Sequence, residues 1–196
     1  MKNGFFSVPR PVNEPVFDYK KNSPERKEVL ETYAALYNST IDVPLYIGSK
    51  KIVTKERAKM APPHDHKHTL GSFSMAEASH VTQAIDAALA ASPDWENTSF
   101  EHRAAVFLKA ADLIAGPYRA RINASTMLAQ SKNIFQAEID AACEFADFLR
   151  FNVAFASDIY AQQPIQGDGV INRLEYRPIE GFVYAVVGRA SCRERV

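Results

Sequence analysis

Five consecutive residues, His64-Asp65-His66-Lys67-His68, place three imidazoles beside a carboxylate, which are the donor types that bind zinc and related metals near neutral pH. In an extended segment the imidazoles would share one side, but no further ligand at a defined spacing closes the shell, so the segment reads as a solvated loop. Glu77-x-x-His80 is half of a di-iron helix motif, whose chemistry needs a second such helix and two more carboxylates. Glu77 is more simply explained as the partner of Ser74 in a capping box. Asp140, Glu144 and Asp147 fall at i, i+4 and i+7 of one helical pattern and make an acidic stripe. A buried member of that stripe needs an arginine, a hydrogen-bonding partner or a ligand amine, and Arg150 and Arg103 are its candidate neighbours. Cys143 reads as a small core residue, because no histidine lies near it in sequence to activate a thiolate. Gly167-Asp-Gly169 has the first spacing of a dinucleotide turn, but Asn172 holds the third position and a strand, not a helix, follows. Spacing alone therefore assigns no catalytic, cofactor-binding or metal residue.

The elements around these residues are read from caps and periodicity. Residues 1–22 form an irregular, proline-broken arm with Phe5, Phe6, Val8, Val16 and Phe17 as apolar anchors. Ser23-Pro24-Glu25 starts a helix that should run to about Asn38. Pro44 to Val53 reads as a hairpin turning at Gly48-Ser49, followed by a Pro- and His-rich loop from Ala61 to Gly71. Ser74 caps a helix with an apolar stripe at Val81, Ile85, Ala88 and Leu89, ending before Pro93. Ser99 opens the next, with Ala104, Phe107, Leu108, Ala111 and Ile114 on one face and Gly116-Pro117 as its stop. A third helix spans Tyr118 to about Ser131, and Asn133 caps a long one reaching about Gln162. Strands are expected near Val170 to Tyr176 and Phe182 to Val187. Helices first and strands last suggest an α+β domain, or a helical preamble to a sheet domain that the chain does not complete.

Composition narrows the function classes. The 23 Lys+Arg balance 23 Asp+Glu, so no positive field is available for a phosphate backbone or an anionic bilayer, and neither nucleic acid nor membrane is expected as a partner. No apolar run approaches the roughly 20 residues of a membrane helix, and the first residues lack the apolar stretch of a signal peptide, which gives a cytosolic expectation. Two cysteines, Cys143 and Cys192, make neither a disulfide framework nor a four-ligand zinc site.

Two longer stretches carry a resemblance: Arg103-Ala-Ala-Val-Phe-Leu-Lys-Ala-Ala-Asp-Leu-Ile-Ala-Gly-Pro117 and Gln136-Ala-Glu-Ile-Asp-Ala-Ala-Cys-Glu-Phe-Ala-Asp-Phe-Leu-Arg-Phe-Asn152. With Asn13-Glu-Pro-Val16, Ser23-Pro-Glu-Arg26, Gln162-Gln-Pro-Ile165 and Tyr176-Arg-Pro-Ile-Glu-Gly-Phe-Val183, they resemble the L-glutamate γ-semialdehyde dehydrogenases, also called 1-pyrroline-5-carboxylate dehydrogenases, of the aldehyde dehydrogenase superfamily. The resemblance reaches to Val187. It implies an α/β fold of which this chain supplies the N-terminal helical layer and first strands, incomplete. It divides the chain into an arm at 1–22, an N-terminal part of the cofactor-binding domain at 23–187, and a tail at 188–196 that resembles translated adapter sequence rather than biological protein.

The activity implied is NAD-dependent oxidation of L-glutamate γ-semialdehyde to L-glutamate in proline catabolism, by attack of a cysteine thiolate, hydride transfer to nicotinamide and hydrolysis of the thioester. In the family the nucleophile, general base and glycine-rich cofactor turn lie beyond the point where this chain ends, so none is carried over, and the chain alone is expected to be inactive. One position is offered: Glu144 matches a family glutamate on the helix bordering the aldehyde tunnel, where a carboxylate attracts the substrate's ammonium group. The complete enzyme is expected to take a small-molecule substrate and to be a homo-oligomer. The alternative reading is a free-standing helical binding or assembly module without catalysis.

Overall fold

The computed structural model describes residues 6–186, so Phe5 and the expected tail at 188–196 with Cys192 lie outside the described residues. Residues 6–22 form no helix or strand, and the chain turns at Tyr19 and Asn22, both in the left-handed region. Ser23 then accepts the Arg26 N–H and starts α1 (Pro24–Tyr37), with Pro24 in the first turn where its missing N–H is not needed.

Five short strands follow. β1 (Ile41–Val43), β4 (Arg57–Met60) and β5 (Gly71–Ser74) form a sheet in the order β1-β5-β4, with β5 parallel to β1 and antiparallel to β4. β2 (Leu45–Ile47) and β3 (Lys50–Ile52) form the expected hairpin, turned by Gly48 at a φ of 57°. Gly71 has a φ of 146°, and a Cβ there would lie 1.8 Å from the Ile41 carbonyl oxygen, so only glycine lets β5 lie against β1.

Next comes α2 (Ala78–Asn97), whose cap, Glu77, lies three residues after the expected one. Ser74 is not its cap: it ends β5, buried, and accepts the Thr54 N–H, while the helix is capped from Glu77, whose N–H donates to His80 Nδ1. Pro93 does not stop the helix, which has no buried residue, so water can serve the carbonyl that proline leaves unpaired. The expected stripe on α2 is present, but Val81 and Leu89 remain exposed.

α3 (Phe100–Ala115) starts at the Ser99 cap and ends at Gly116, and α4 (Arg119–Gln130) ends at Ser131 in the left-handed conformation. Asn133 and Gln136 exchange hydrogen bonds with each other's backbone at the start of α5 (Ile134–Ala137). The single long helix expected from here is instead three pieces: α5, a π-helical segment Glu138–Cys143, and α6 (Glu144–Ala161). α1 packs on α4 around Tyr19, Val29 and Ala124, and α3 packs on α6 through Ala111, Ile114 and Ala146. The fully buried alanines let backbones approach closely, and full burial of a side chain such as Val29 contributes on the order of 1.5–3 kcal/mol.

The strands expected at Val170 to Tyr176 and Phe182 to Val187 are not formed among the described residues, which carry only an isolated bridge between Gly167 and Val170. A strand needs a hydrogen-bonding neighbour, and in the first of these segments glutamine side chains take that place. The Gln163 amide both donates to the Leu174 carbonyl and accepts its N–H, and Gln166 does the same for Asn172. The apolar pattern is left exposed, with Ile171 91% and Val183 81% accessible.

Replacing Gly71 by alanine should destabilise this chain by about 2 kcal/mol or more, since it adds both left-handed strain and a backbone clash. Urea unfolding of Gly71→Ala against the parent measures it; an unchanged midpoint would contradict the β1–β5 approach.

Candidate functional site

Glu138 opens the π-helical segment with no exposed surface, and a carboxylate there must be both paired and hydrogen-bonded. It accepts from the Phe17 N–H at 2.8 Å, the Tyr19 hydroxyl at 2.8 Å and the Asn123 amide at 2.7 Å, and it forms an ion pair with Arg119. Arg119 also donates to Glu14 and to the Pro15 carbonyl, each at 2.6 Å, and its guanidinium sits 3.7 Å above the Phe17 ring. Arg150 donates to the other Glu14 oxygen at 2.6 Å. Glu14 and Glu138 against Arg119 and Arg150 leave the cluster neutral.

Burial opposes ionisation of Glu138, but the Arg119 pair and the Phe17, Tyr19 and Asn123 donors outweigh it and hold the carboxyl below its ordinary value. Burial, and then the hydrogen bond to Glu138, push the Tyr19 hydroxyl up, so it stays protonated. Burial, joined by the nearby Glu138 charge, pushes the Cys143 thiol up to about 12, which leaves it a core thiol with no nucleophilic role at neutral pH. The core reading of Cys143 therefore holds. The anchors of the arm are Glu14, Tyr19 and the Phe17 backbone rather than the expected apolar set: Phe6 and Val16 are exposed. Glu138 had one signal in the sequence. It heads the line Glu138, Ala142, Ala146, a carboxylate at the start of a stripe of small buried residues.

The π-helical turn, which adds about one residue relative to α-helix, breaks the acidic stripe expected at Asp140, Glu144 and Asp147. Asp140 lies within the segment and pairs with Lys132. Glu144 and Asp147 follow it, and both line a recess of about 310 Å³ with Asn13, Phe148, Phe151 and Phe155. Of the two expected arginines, Arg150 goes to Glu14 and Asp112, and Arg103 goes to the Thr98 carbonyl and the Tyr160 hydroxyl. Asp147 is held by the arm, accepting the Glu14 N–H at 2.7 Å and the Asn13 amide at 2.8 Å. Across α6 a second hollow of about 400 Å³ is lined by Trp95, Phe100, Phe107, Phe148 and Tyr160, with Arg103 at its edge.

The histidine loop is folded by turns rather than extended, and two of its imidazoles are engaged by neighbouring helices. His64 reaches Ser131 Oγ at 2.7 Å and the Tyr33 hydroxyl, and His68 stacks 3.7 Å from Tyr37 with its Nε2 2.7 Å from the Tyr37 carbonyl. Asp65 accepts the Tyr37 hydroxyl at 2.8 Å. These contacts tie the loop to α1 and α4. Among the described residues no group of three or more metal-ligating side chains converges. Helices there begin at Ser23, Glu77, Ser99, Tyr118 and Asn133, none of them in a glycine-rich turn, so the described residues do not fit a dinucleotide.

Residues 52–188 match the model of the aldehyde dehydrogenase family. The chain is 45% identical over 181 residues to a delta-1-pyrroline-5-carboxylate dehydrogenase, mitochondrial, of Dictyostelium discoideum, which covers 92% of this chain and 32% of that protein. It is 46% identical over 183 residues to the protein of the same name from Emericella nidulans, again over 92% of this chain and 32% of the relative. A crystal structure of the delta-pyrroline-5-carboxylate dehydrogenase from Mycobacterium tuberculosis bound with NAD superposes with a TM-score of 0.90 at 48% identity, over 92% of this chain and 34% of that one. The chain thus has the fold of one part of these proteins and spans about a third of the length of the curated relatives it matches.

Glu138→Gln should cost this chain about 3 kcal/mol, because it leaves the buried Arg119 guanidinium with Glu14 alone. The pH dependence follows from the lowered carboxyl. Its stabilisation is complete above the unfolded value, about 4.3 for a glutamate, and is lost as pH falls through the depressed folded value. Urea unfolding from pH 7 to pH 3 should show stability falling below about pH 4, with a shallower fall in Glu138→Gln; parallel profiles would contradict it.

Proposed function

We propose that this chain, which belongs to the aldehyde dehydrogenase family, is part of an enzyme that oxidises L-glutamate γ-semialdehyde, the open form of 1-pyrroline-5-carboxylate, to L-glutamate with NAD in proline catabolism. The observation that carries the reading is agreement in sequence and fold across nine-tenths of the chain with proteins named for that activity. The recess on α6 adds a chemical reason for the substrate. A carboxylate at Glu144 beside the rings of Phe148, Phe151 and Phe155 suits a ligand with an ammonium group on a short methylene chain. The carboxylate attracts and orients the ammonium while the rings exclude water from the methylenes, which sets the far end of the ligand, its aldehyde, at a fixed distance.

No catalytic step is assigned to the described residues. Cys143 is a protonated core thiol, and the nucleophile, the base and the residues that hold NAD are assigned to the remainder of the enzyme. The division into an arm at 1–22, a cofactor-domain part at 23–187 and a tail at 188–196 belongs to the same proposal, as do a homo-oligomeric assembly and the absence of nucleic-acid or membrane partners. Among the described residues no helix is long and apolar enough to cross a membrane. A cytosolic location is proposed, and because both relatives described above are named mitochondrial, fractionation of tagged cells is its test.

This chain alone should form no NADH from 1-pyrroline-5-carboxylate, whereas the complete enzyme that carries it should. In that enzyme Glu144→Gln should lower kcat/KM about tenfold, the scale of one charge-assisted hydrogen bond. NADH formation by the chain alone, or an unchanged kcat/KM in Glu144→Gln, would overturn the corresponding half of the reading.

A further inference from the structure

We propose that Phe148 is a specificity-determining residue: its ring is the partition that closes the α6 recess against the neighbouring hollow, and it sets the length of methylene chain the recess accepts. The inference rests on the substrate reading above, in which the amine end of the ligand seats in the recess, and on the room in that recess rather than on the pairing of its acids. α6 presents two adjacent stripes, as a helix of 3.6 residues per turn does at spacings of three, four and seven. Glu144, Asp147, Phe151 and Phe155 fall on one stripe and line the recess of about 310 Å³. Phe145, Leu149, Asn152, Val153 and Ala156 fall on the next and line the hollow of about 400 Å³, which Phe100, Ala104 and Phe107 of α3 also line. Among the described residues Phe148 alone lines both spaces, because it lies on the border between the stripes, four residues after Glu144 and three after Phe145.

The two spaces differ in chemistry. The recess carries the carboxylates of Glu144 and Asp147 beside its rings, whereas the hollow is lined chiefly by aromatic and aliphatic side chains. Phe148 is 40% exposed, so part of its surface is left to face these spaces and is not consumed by core packing. Phe151 and Phe155, with rings 6.1 Å apart, line the recess only. A ligand held at its amine end and reacting at its aldehyde has its chain length set by the distance between the two. An additional methylene has to bow the chain sideways, and on the hollow side the Phe148 ring blocks that bow. Without the ring the recess opens into the hollow, whose apolar lining accepts a methylene.

The test compares two amino aldehydes in the complete enzyme: L-glutamate γ-semialdehyde, and 2-amino-6-oxohexanoate, which has one methylene more between amine and aldehyde. The parent should prefer the shorter by roughly ten- to 200-fold in kcat/KM, the scale of one methylene in an apolar pocket, and Phe148→Ala should reduce that preference about tenfold. Phe148→Leu, the smaller change, should move the preference the same way by less, and it carries the test if the alanine variant folds poorly. Phe151→Ala is the control, since it widens the recess without opening it to the hollow: it should lower kcat/KM for both aldehydes and leave their ratio unchanged. If both Phe148 variants keep the parent's preference while Phe151→Ala lowers kcat/KM for both aldehydes, the partition is overturned and the substrate reading stands. If Phe151→Ala relaxes the preference as far as Phe148→Ala does, the recess has merely been widened and the inference fails. If none of the three variants changes kcat/KM for either aldehyde, the substrate does not seat in the recess, and that reading falls and the partition with it. A parent that takes both aldehydes equally well overturns the partition at once.

Discussion

A carboxylate with no exposed surface is the constraint on which the rest of this structure depends. Glu138 is unsupportable in the core without opposite charge and donors, since an uncompensated buried ion costs several kcal/mol. The compensation comes from two separate parts of the chain: Arg119 and Asn123 on α4, and Phe17 and Tyr19 from the arm. One buried acid therefore ties the arm to the helical layer and fixes which turn of the long helix faces inward. A hydrophobic side chain at 138 would pack there but would have no means of holding the arm in register, because apolar contact is non-directional and hydrogen bonds are not.

Two consequences run from that constraint to the surface. The π-helical segment begins at Glu138 and ends just before Glu144, so the same irregular stretch turns one glutamate into the core and delivers the other to the recess. The Arg119 side chain then extends the charge cluster to Glu14, which Arg150 of α6 also grips. Core electrostatics and the candidate binding surface are thus joined by a single run of ion pairs, and the backbone of the arm lies along it.

What could be read from the sequence was whatever is decided locally. Ser23, Ser99 and Asn133 cap the helices they were expected to cap, and Gly48 turns its hairpin, because a cap or a tight turn is satisfied within a few residues. Ser74 misled because its hydroxyl found a non-local partner in Thr54. Strands β1, β4 and β5 are only three or four residues long and exist through pairing across the chain, which no local pattern encodes. The apolar run from Val170 to Tyr176 has strand composition, but the backbones of Asn172 and Leu174 meet glutamine side chains. At the candidate site, Glu144 was singled out through the resemblance, while Glu138, Glu14 and Asn13 were not. A glutamate in a helical pattern reads as surface, and its burial follows from an arginine 19 residues away and an arm more than a hundred residues away.

The central claim is that the surface shaped by this network recognises an ammonium group. The most direct measurement is calorimetric titration of the complete enzyme with L-glutamate and with glutarate, which differ only in that group. The account predicts tighter binding of L-glutamate by roughly tenfold, with the preference abolished in Glu144→Gln. Equal affinities for the two acids, or a preference that survives removal of the Glu144 charge, would contradict it.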